Sequence, residues 1–477
     1  MTDDEGSESS PVQASPAEFD VELENGERFT PPRDDALLVL AGHKESVFCV
    51  SIDPSATYLA SGGQDHIAIV WDLQSGDQLF VAEGHEDSVT CVEFSPDSRF
   101  LASGDMAGGI RVWLRPGVDA MSKAWALLTA VRIGDLLWLK WWQPPESERK
   151  DPVKPSSAVL AAGDSDGLVG LWSISSNMSH EQEEDTSKRA KYIAGSGVGA
   201  LSGVYYPPSI GTSRPKLVVL YQNAELRLWD LKSGDMLASV SLISRSDRQS
   251  EEPGTVYCLT CQRAVSSAKN KDLLLVGGDG VVLPAVFGQD DDSSYSAKCL
   301  APIDTGDPGS VEAIDFAWTH PFFAFGTVNG AIGIVDMHRM RIRRRWIYVD
   351  QEGDSDSGVG LTSLRWSQTY PVLFTGHLNG AVVCWPGLSV SNEGDPSPLA
   401  VWWGHSAAVL DIALPPLDIH SRTMEQKVSQ ASAKMSTHSS SSYSSAGSKF
   451  MIEPIVASCS DDATVRLFCV NIDPSQT

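Results

Sequence analysis

Residues 42–72 read GHKESVFCVSIDPSATYLASGGQDHIAIVWD, and residues 84–113 read GHEDSVTCVEFSPDSRFLASGDMAGGIRVW. Laid over one another they match at a constant offset of 42 residues: His43 with His85, Ser46 with Ser88, Cys49 with Cys91, Pro54 with Pro96, Ser61 with Ser103, Trp71 with Trp113. The chain therefore carries an internal repeat, one supersecondary unit written twice. A single small sheet of this size cannot bury both of its faces. Several sheets standing radially can, because each then packs between two neighbours and leaves only short edges.

A period in the low forties that opens on Gly-His and closes on Trp-Asp resembles the WD repeats, each a four-stranded antiparallel blade of a β-propeller. The resemblance implies a buried relay in each well-kept blade. In the first repeat it comprises His43, Ser61, Asp65 and Trp71, since an indole N–H, an imidazole and a hydroxyl each need a partner once desolvated. The same role falls to His85 and Trp113, to Asp166 and Trp172, and to His405, Ser458 and Asp462. These histidines are read as structural, not as bases or ligands.

Further repeats are less regular. Leu37–Leu40 reads as a lone outer strand that pairs with the last blade and closes the ring. Repeat three holds Leu136–Trp141 and ends at Trp172, and repeat four ends at Trp229-Asp230. Repeat five is the weakest, with Val256–Leu259 and Leu273–Gly278; repeat six holds Val311–Phe316 and Val335-Asp336. Repeat seven ends at Trp385; its Gly376-His377 falls in the turn between strands b and c rather than in the loop before strand a. Repeat eight restores Gly404-His405, with Phe468 in place of Trp. The expectation is an all-β, WD40-type β-propeller of eight blades over residues 36–470. Seven is the alternative, and it would force the strands of repeat five into a loop. Residues 1–35 read as a disordered acidic tail, 421–449 as a Ser-rich disordered insertion and 471–477 as a C-terminal tail.

Charge narrows the partners. Lys and Arg total 36 against 62 Asp and Glu, a formal net charge of −26. Residues 1–35 carry eleven acids and two arginines, net −9, so −17 belongs to the rest. A basic footprint for nucleic acid or an anionic membrane is missing, and neither is expected as a direct partner. A basic protein or peptide is the natural complement. The eight cysteines fall mostly inside strand-like runs, with Cys49, Cys91 and Cys258 in one repeat position, as small core residues in a reducing compartment do. With an acidic start and no run of 18 apolar residues, the expected place is the cytoplasm, with the nucleus as a second compartment. There is no phosphate loop, no metal-ligand set and no nucleophile elbow, so neither catalysis nor a cofactor nor a metal is expected. The chain is expected to be a monomer.

Some phrases are more specific than the repeat itself: Gly84–Cys91 with Ala102–Trp113, Asp135–Trp141 where a Gly-His is due, Ser310–Phe316, and Gly404–Leu414 with Phe468-Cys-Val470. In these the chain resembles the angio-associated migratory cell protein family, whose fungal members include a dedicated chaperone of a large-subunit ribosomal protein. The resemblance covers about Ala36 to Val470. It departs at the Ser-rich insertion and at Ala107, which stands at the turn-Asp position of repeat two. It implies a propeller whose acidic surface captures the basic N-terminal segment of its client in support of late ribosome assembly. The alternative is a general interaction scaffold in signalling, cell migration or ubiquitin-ligase substrate reception.

In such propellers the narrow top face is built from the loops between strands d and a, the first residues of strand a, and the b–c turns. Aligned repeats place Glu45, Phe48, Glu86, Asp87, Asp135, Leu137, Tyr257, Glu312, Leu410 and Asp461 there as candidate partner-binding residues, with Gln64, Met106, Val328 and Leu378 among the turn positions. Carboxylates beside apolar side chains suit a basic peptide with apolar anchors. The one basic run, Arg339–Arg345, alternates as an outer strand does. A solvated edge that blocks aggregation is its plain reading. A phosphate contact, or one to the acidic tail, is the sharper one.

Overall fold

The computed structural model describes residues 30–117, 124–142, 158–175, 190–193, 197–206, 216–243, 256–263, 271–289, 294–318, 320–349, 359–388, 395–415 and 455–470, with backbone alone for Tyr206, 256–263 and Lys271. The acidic segment before residue 30, the Ser-rich insertion 421–449 and the tail 471–477 lie outside the described residues.

Eight antiparallel sheets form, each ordered a-b-c-d. The innermost strands are Val47–Ile52, Val89–Phe94, Leu136–Trp142, Ala200–Tyr206, Val256–Arg263, Val311–Phe316, Leu361–Trp366 and Val409–Ala413. Each contacts the next around the circle, and the last returns to the first. The weak fifth repeat is a full blade, Val256–Cys299, with one extra short strand at Ile303–Asp304. Strands b lie between two sheets and are buried along their whole length, as in Phe322–Thr327 and Val372–His377. Strands d face solvent on one side and alternate instead, as in Arg341–Ile347.

The apolar core is divided among the interfaces between blades. Among the described residues there are eight clusters, one per interface. At the join of the last and first blades, Leu40, Val47, Leu59 and Trp71 pack with Ala457, Val465 and Leu467.

The ring closes as expected, through the chain's first strand. Leu38–Ala41 pairs antiparallel with Thr464–Cys469, Leu38 opposite Leu467 and Ala41 opposite Thr464. Ordered chain starts earlier than the expected boundary at Ala36. The Asp35 N–H donates to the Trp403 carbonyl at 2.8 Å, and the Trp403 N–H returns a bond to the Asp35 carboxylate at 3.0 Å. Asp34 pairs with Arg466, and Arg33 donates to the Val401 carbonyl at 3.2 Å. These two acids are hydrogen-bond acceptors for the seam of blades seven and eight, which is why their charge does not leave them in the tail.

Leu40 is 1% exposed in this clasp and Val39 beside it 45%. Leu40→Ala is expected to lower stability by about 2–5 kcal/mol, read as a fall in urea midpoint, because the cavity opens in the seam that closes the ring. Val39→Ala should stay within about 0.5 kcal/mol.

Candidate partner-binding face

Every inner strand carries an irregularity at its upper end. Pairing with strand b jumps from Val47 to Cys49, Val89 to Cys91, Leu136 to Trp138, Ala200 to Ser202, Val256 to Leu259, Val311 to Ala313, Leu361 to Ser363 and Val409 to Asp411. The skipped residue is a β-bulge, which leaves one residue out of the ladder and re-aims its side chain. In blade order the bulged residues include Phe48, Thr90, Leu137, Leu201, Glu312, Thr362 and Leu410, so one side chain per blade is turned out of the ladder at this end. In blade five both Tyr257 and Cys258 fall in the break. Counted from Val256 opposite Gly278 and Leu259 opposite Val276, Cys258 keeps the repeat position of Cys49 and Cys91, which pair with Gly62 and Gly104.

A second repeating bond fixes the outer part of this ring. The N–H of the first b–c turn residue donates to the carbonyl just before strand a of its own blade in seven blades: Gln64 to Ser46, Met106 to Ser88, Ser165 to Asp135, Gln222 to Gly199, Val328 to Ser310, Leu378 to Gly360 and Asp461 to Ala408, all between 2.8 and 3.1 Å. In blade five Gly280 donates at 3.1 Å to Gly309, which precedes strand a of blade six. Each turn also holds one residue at positive φ, a glycine in five blades and His66, Ala224 and Ala463 in the others. Backbone bonds thus make the frame, and the side chains are free to differ.

What differs is the chemistry. Met106, Leu137, Val328 and Leu378 are exposed large apolar residues. Leu137 adjoins Met106 through the Leu136 N–H, which donates to the Met106 carbonyl at 3.2 Å. Val328 and Leu378 flank Gly360, where a Cβ would lie 2.5 Å from the Val328 carbonyl oxygen and from a Leu378 methyl. The two apolar pairs, on blades two–three and six–seven, are four blades apart. Glu45, Glu86 and Asp135 are exposed, and Asp87, Glu312 and Asp461 half-buried. Burial pushes the Asp461 carboxyl above its usual range, partly offset by a hydrogen bond from Ser46, so a cationic guest would relieve it.

Several expected contributors are already engaged. Glu86 pairs with Arg132 at 2.6 Å, an exposed pair. Asp87 accepts from the Ser88 N–H at 2.7 Å, and Glu312 from the Ser310 hydroxyl. Leu410 leans on the cluster between blades eight and one, and Phe48 is half-buried. The Tyr257 side chain lies outside the described residues.

Below the face lies the relay. His43 places Nδ1 2.9 Å from Asp65 and Nε2 2.8 Å from the Ser61 hydroxyl, to which the Trp71 indole donates at 2.9 Å. A family model described as WD domain, G-beta repeat matches residues 35–72 and 76–113. The chain is an eight-bladed β-propeller that carries WD repeats. It is similar to the human angio-associated migratory cell protein, 29% identical over 390 residues that cover 80% of this chain and 76% of that one, and to the dog protein of the same name at 28%. Among solved structures its fold is similar to Saccharomyces cerevisiae Sqt1, with a TM-score of 0.64 and 19% identity over 92% of this chain and 99% of that one. It is also similar to Chaetomium thermophilum Sqt1 bound to the N-terminus of the ribosomal protein L10, with a TM-score of 0.63 and 18% identity over 92% and 100%.

The other WD blades keep the relay in altered forms. In blade two His85 bonds Ser103 at 2.8 Å and Trp113 donates to the same hydroxyl at 3.0 Å. The carboxylate is Asp105, 2.8 Å from His85, so Ala107 leaves no gap. In blade three the expected Asp166 is exposed. Its role passes to Asp164, which accepts from the N–H groups of Gly134 at 3.1 Å and Leu168 at 2.8 Å. The Trp172 indole is buried with no hydrogen-bond partner, because Ala162 stands where Ser61 and Ser103 stand. Blade eight is regular: His405 lies 2.9 Å from Asp462 and 2.8 Å from Ser458. Asp105 and Asp164 share a signal that sequence reading passed over, Asp-x-x-Gly with the glycine at positive φ.

Blade seven reverses the order. His377 ends strand b, its Nε2 2.8 Å from the Thr375 hydroxyl, to which the Trp385 indole donates at 2.9 Å. Burial lowers the imidazole pKa to about 4. An unfolded chain takes up this proton below about pH 6.5 and the folded one only near pH 4. Stability is thus fully present above 6.5 and lost as pH falls toward 4, by up to roughly 3 kcal/mol. The advantage of the parent over His377→Gln in urea midpoint should shrink between about pH 7 and about pH 4.5. An equal gap at both values would sink this account.

Proposed function

We propose that this WD-repeat propeller is a non-catalytic protein-binding scaffold whose top face captures the basic N-terminal segment of a large-subunit ribosomal protein, as a dedicated chaperone does. The observation that carries the reading is the ring of bulged and turn residues. It sets carboxylates of Glu45, Asp87, Asp135, Glu312 and Asp461 around two apolar pairs, Met106 with Leu137 and Val328 with Leu378. A guest that satisfies this ring must be cationic along its length with apolar anchors, as an N-terminal segment of a ribosomal protein is. The similar Chaetomium Sqt1 holding the N-terminus of L10 supports the choice of client. Net charge of −26 would draw such a segment from a distance, and repel RNA. Capture in the cytoplasm by a monomer, near the site of synthesis, is the simplest form of the reading.

Neutral backbone donors and acceptors are consumed by the frame itself, so side-chain charge has to supply most of the attraction. Two consequences follow from that. Affinity for the client's N-terminal peptide, read by fluorescence anisotropy, should fall steeply with salt, and Glu312→Lys or Asp461→Lys should each weaken it by about tenfold or more. Purified protein that leaves the peptide unbound even at low salt would overturn the reading. Recovery of many partners from cells, none in equal amount, would favour the general scaffold instead.

A further inference from the structure

Strand d of blade six, Arg341–Ile347, is the last in its sheet, so among the described residues its outer backbone edge has no partner strand. Arg341, Arg343 and Arg345 are exposed along it, while Trp346 is buried beneath. The Arg343 guanidinium lies over the Phe322 ring at 4.9 Å. Of the eight other arginines with described side chains, seven form an ion pair with a carboxylate, Arg111 being the exception. Among the described residues no carboxylate lies within ion-pair distance of Arg339, Arg341, Arg343 or Arg345, although the charge of Arg345 helps to lower the Asp307 pKa, in a chain with a large excess of acids.

One segment of the same chain has the matching pattern. Glu18-Phe19-Asp20-Val21-Glu22-Leu23-Glu24 alternates acid and apolar without a break. Period two is that of a strand, with all four acids on one face. The segment is tethered close by. Arg33–Asp35 is bonded to Val401, Trp403 and Arg466, and Val401 and Trp403 share a core cluster with Trp346 of the basic strand. The eight residues 25–32 between Glu24 and Arg33 span up to about 26–29 Å when extended. Neighbouring sheets pack about 10 Å apart, well within that reach.

We propose that Glu18–Glu24 adds to the outer edge of blade six as a fifth strand, its carboxylates facing Arg341, Arg343 and Arg345. Strand addition would satisfy the open backbone edge, and opposite charges directly across strands favour it. A covalent tether holds the segment at high effective concentration. The register break opposite Ile334 and Val335 argues against a second copy of the chain as occupant, because two copies pairing edge to edge need a flat strand. The tail would then lie on the rim of the propeller, away from the top face, and its acids would not compete with that face for a basic client.

Amide exchange of the full chain, followed by mass spectrometry, tests this. Segment 18–24 and the outward-facing amides of 341–347 should both exchange at least about tenfold more slowly than in the variant Glu18→Lys, Asp20→Lys, Glu22→Lys, Glu24→Lys. Adding Arg341→Glu, Arg343→Glu and Arg345→Glu to that variant should restore the protection. Exchange of 18–24 at the free-peptide rate in the parent overturns the proposal. So does protection of the outward-facing amides of 341–347 that survives the lysine variant, or that appears only when an acidic protein or RNA is added.

Discussion

A four-stranded sheet that is apolar on both faces has to be covered on both faces, and among the described residues what covers it is another such sheet. That constraint organises the whole molecule. The core is split into eight separate seams, one between each pair of blades, and no blade is stable without two neighbours. A chain obeying it must bring its ends together. The first strand completes the last blade, and Arg33, Asp34 and Asp35 fasten the same seam from outside.

Once blade packing carries the fold, the internal polar groups need only be satisfied, and the blades do so in different ways. A histidine from the d–a loop meets a serine in blades one, two and eight. A histidine from strand b meets a threonine in blade seven. In blade six the loop supplies Asp307, which accepts from the Thr327 hydroxyl and from the Asn329 amide at 2.8 Å. The thiols follow the same logic: burial pushes the Cys91 pKa up to about 11 and raises those of Cys49 and Cys459, so they act as small apolar groups. The relay is a way of making desolvated groups harmless, and its residues tolerate exchange as long as donors and acceptors balance.

The top face obeys a third rule. The bulge recurs in all eight blades and the turn bond within seven of them, and both use backbone atoms alone. Geometry is therefore constant while the exposed side chains vary, which is how one frame can hold an asymmetric arrangement of acids and two apolar pairs.

Sequence by itself determined the blade. The duplicated residues 42–113, with Trp-Asp endings and alternating strands, are local features, and they sufficed for the eight-bladed ring and its closing strand. It also placed Leu137, Glu312 and Leu410 at strand starts that prove to be bulges. Only the tertiary structure decided which carboxylate serves the relay in blades two and three: Asp105 and Asp164 come to the loop because strand b ends there, whereas Asp166, spaced correctly from its Trp, points to solvent. Only it showed that Glu86 is neutralised by Arg132 and that Asp34 and Asp35 belong to the ring. Spacing along a chain encodes periodicity, which a repeat makes legible. Partners that come from different strands, or from opposite ends of the chain, are set by closure of the ring, and no local pattern contains that information.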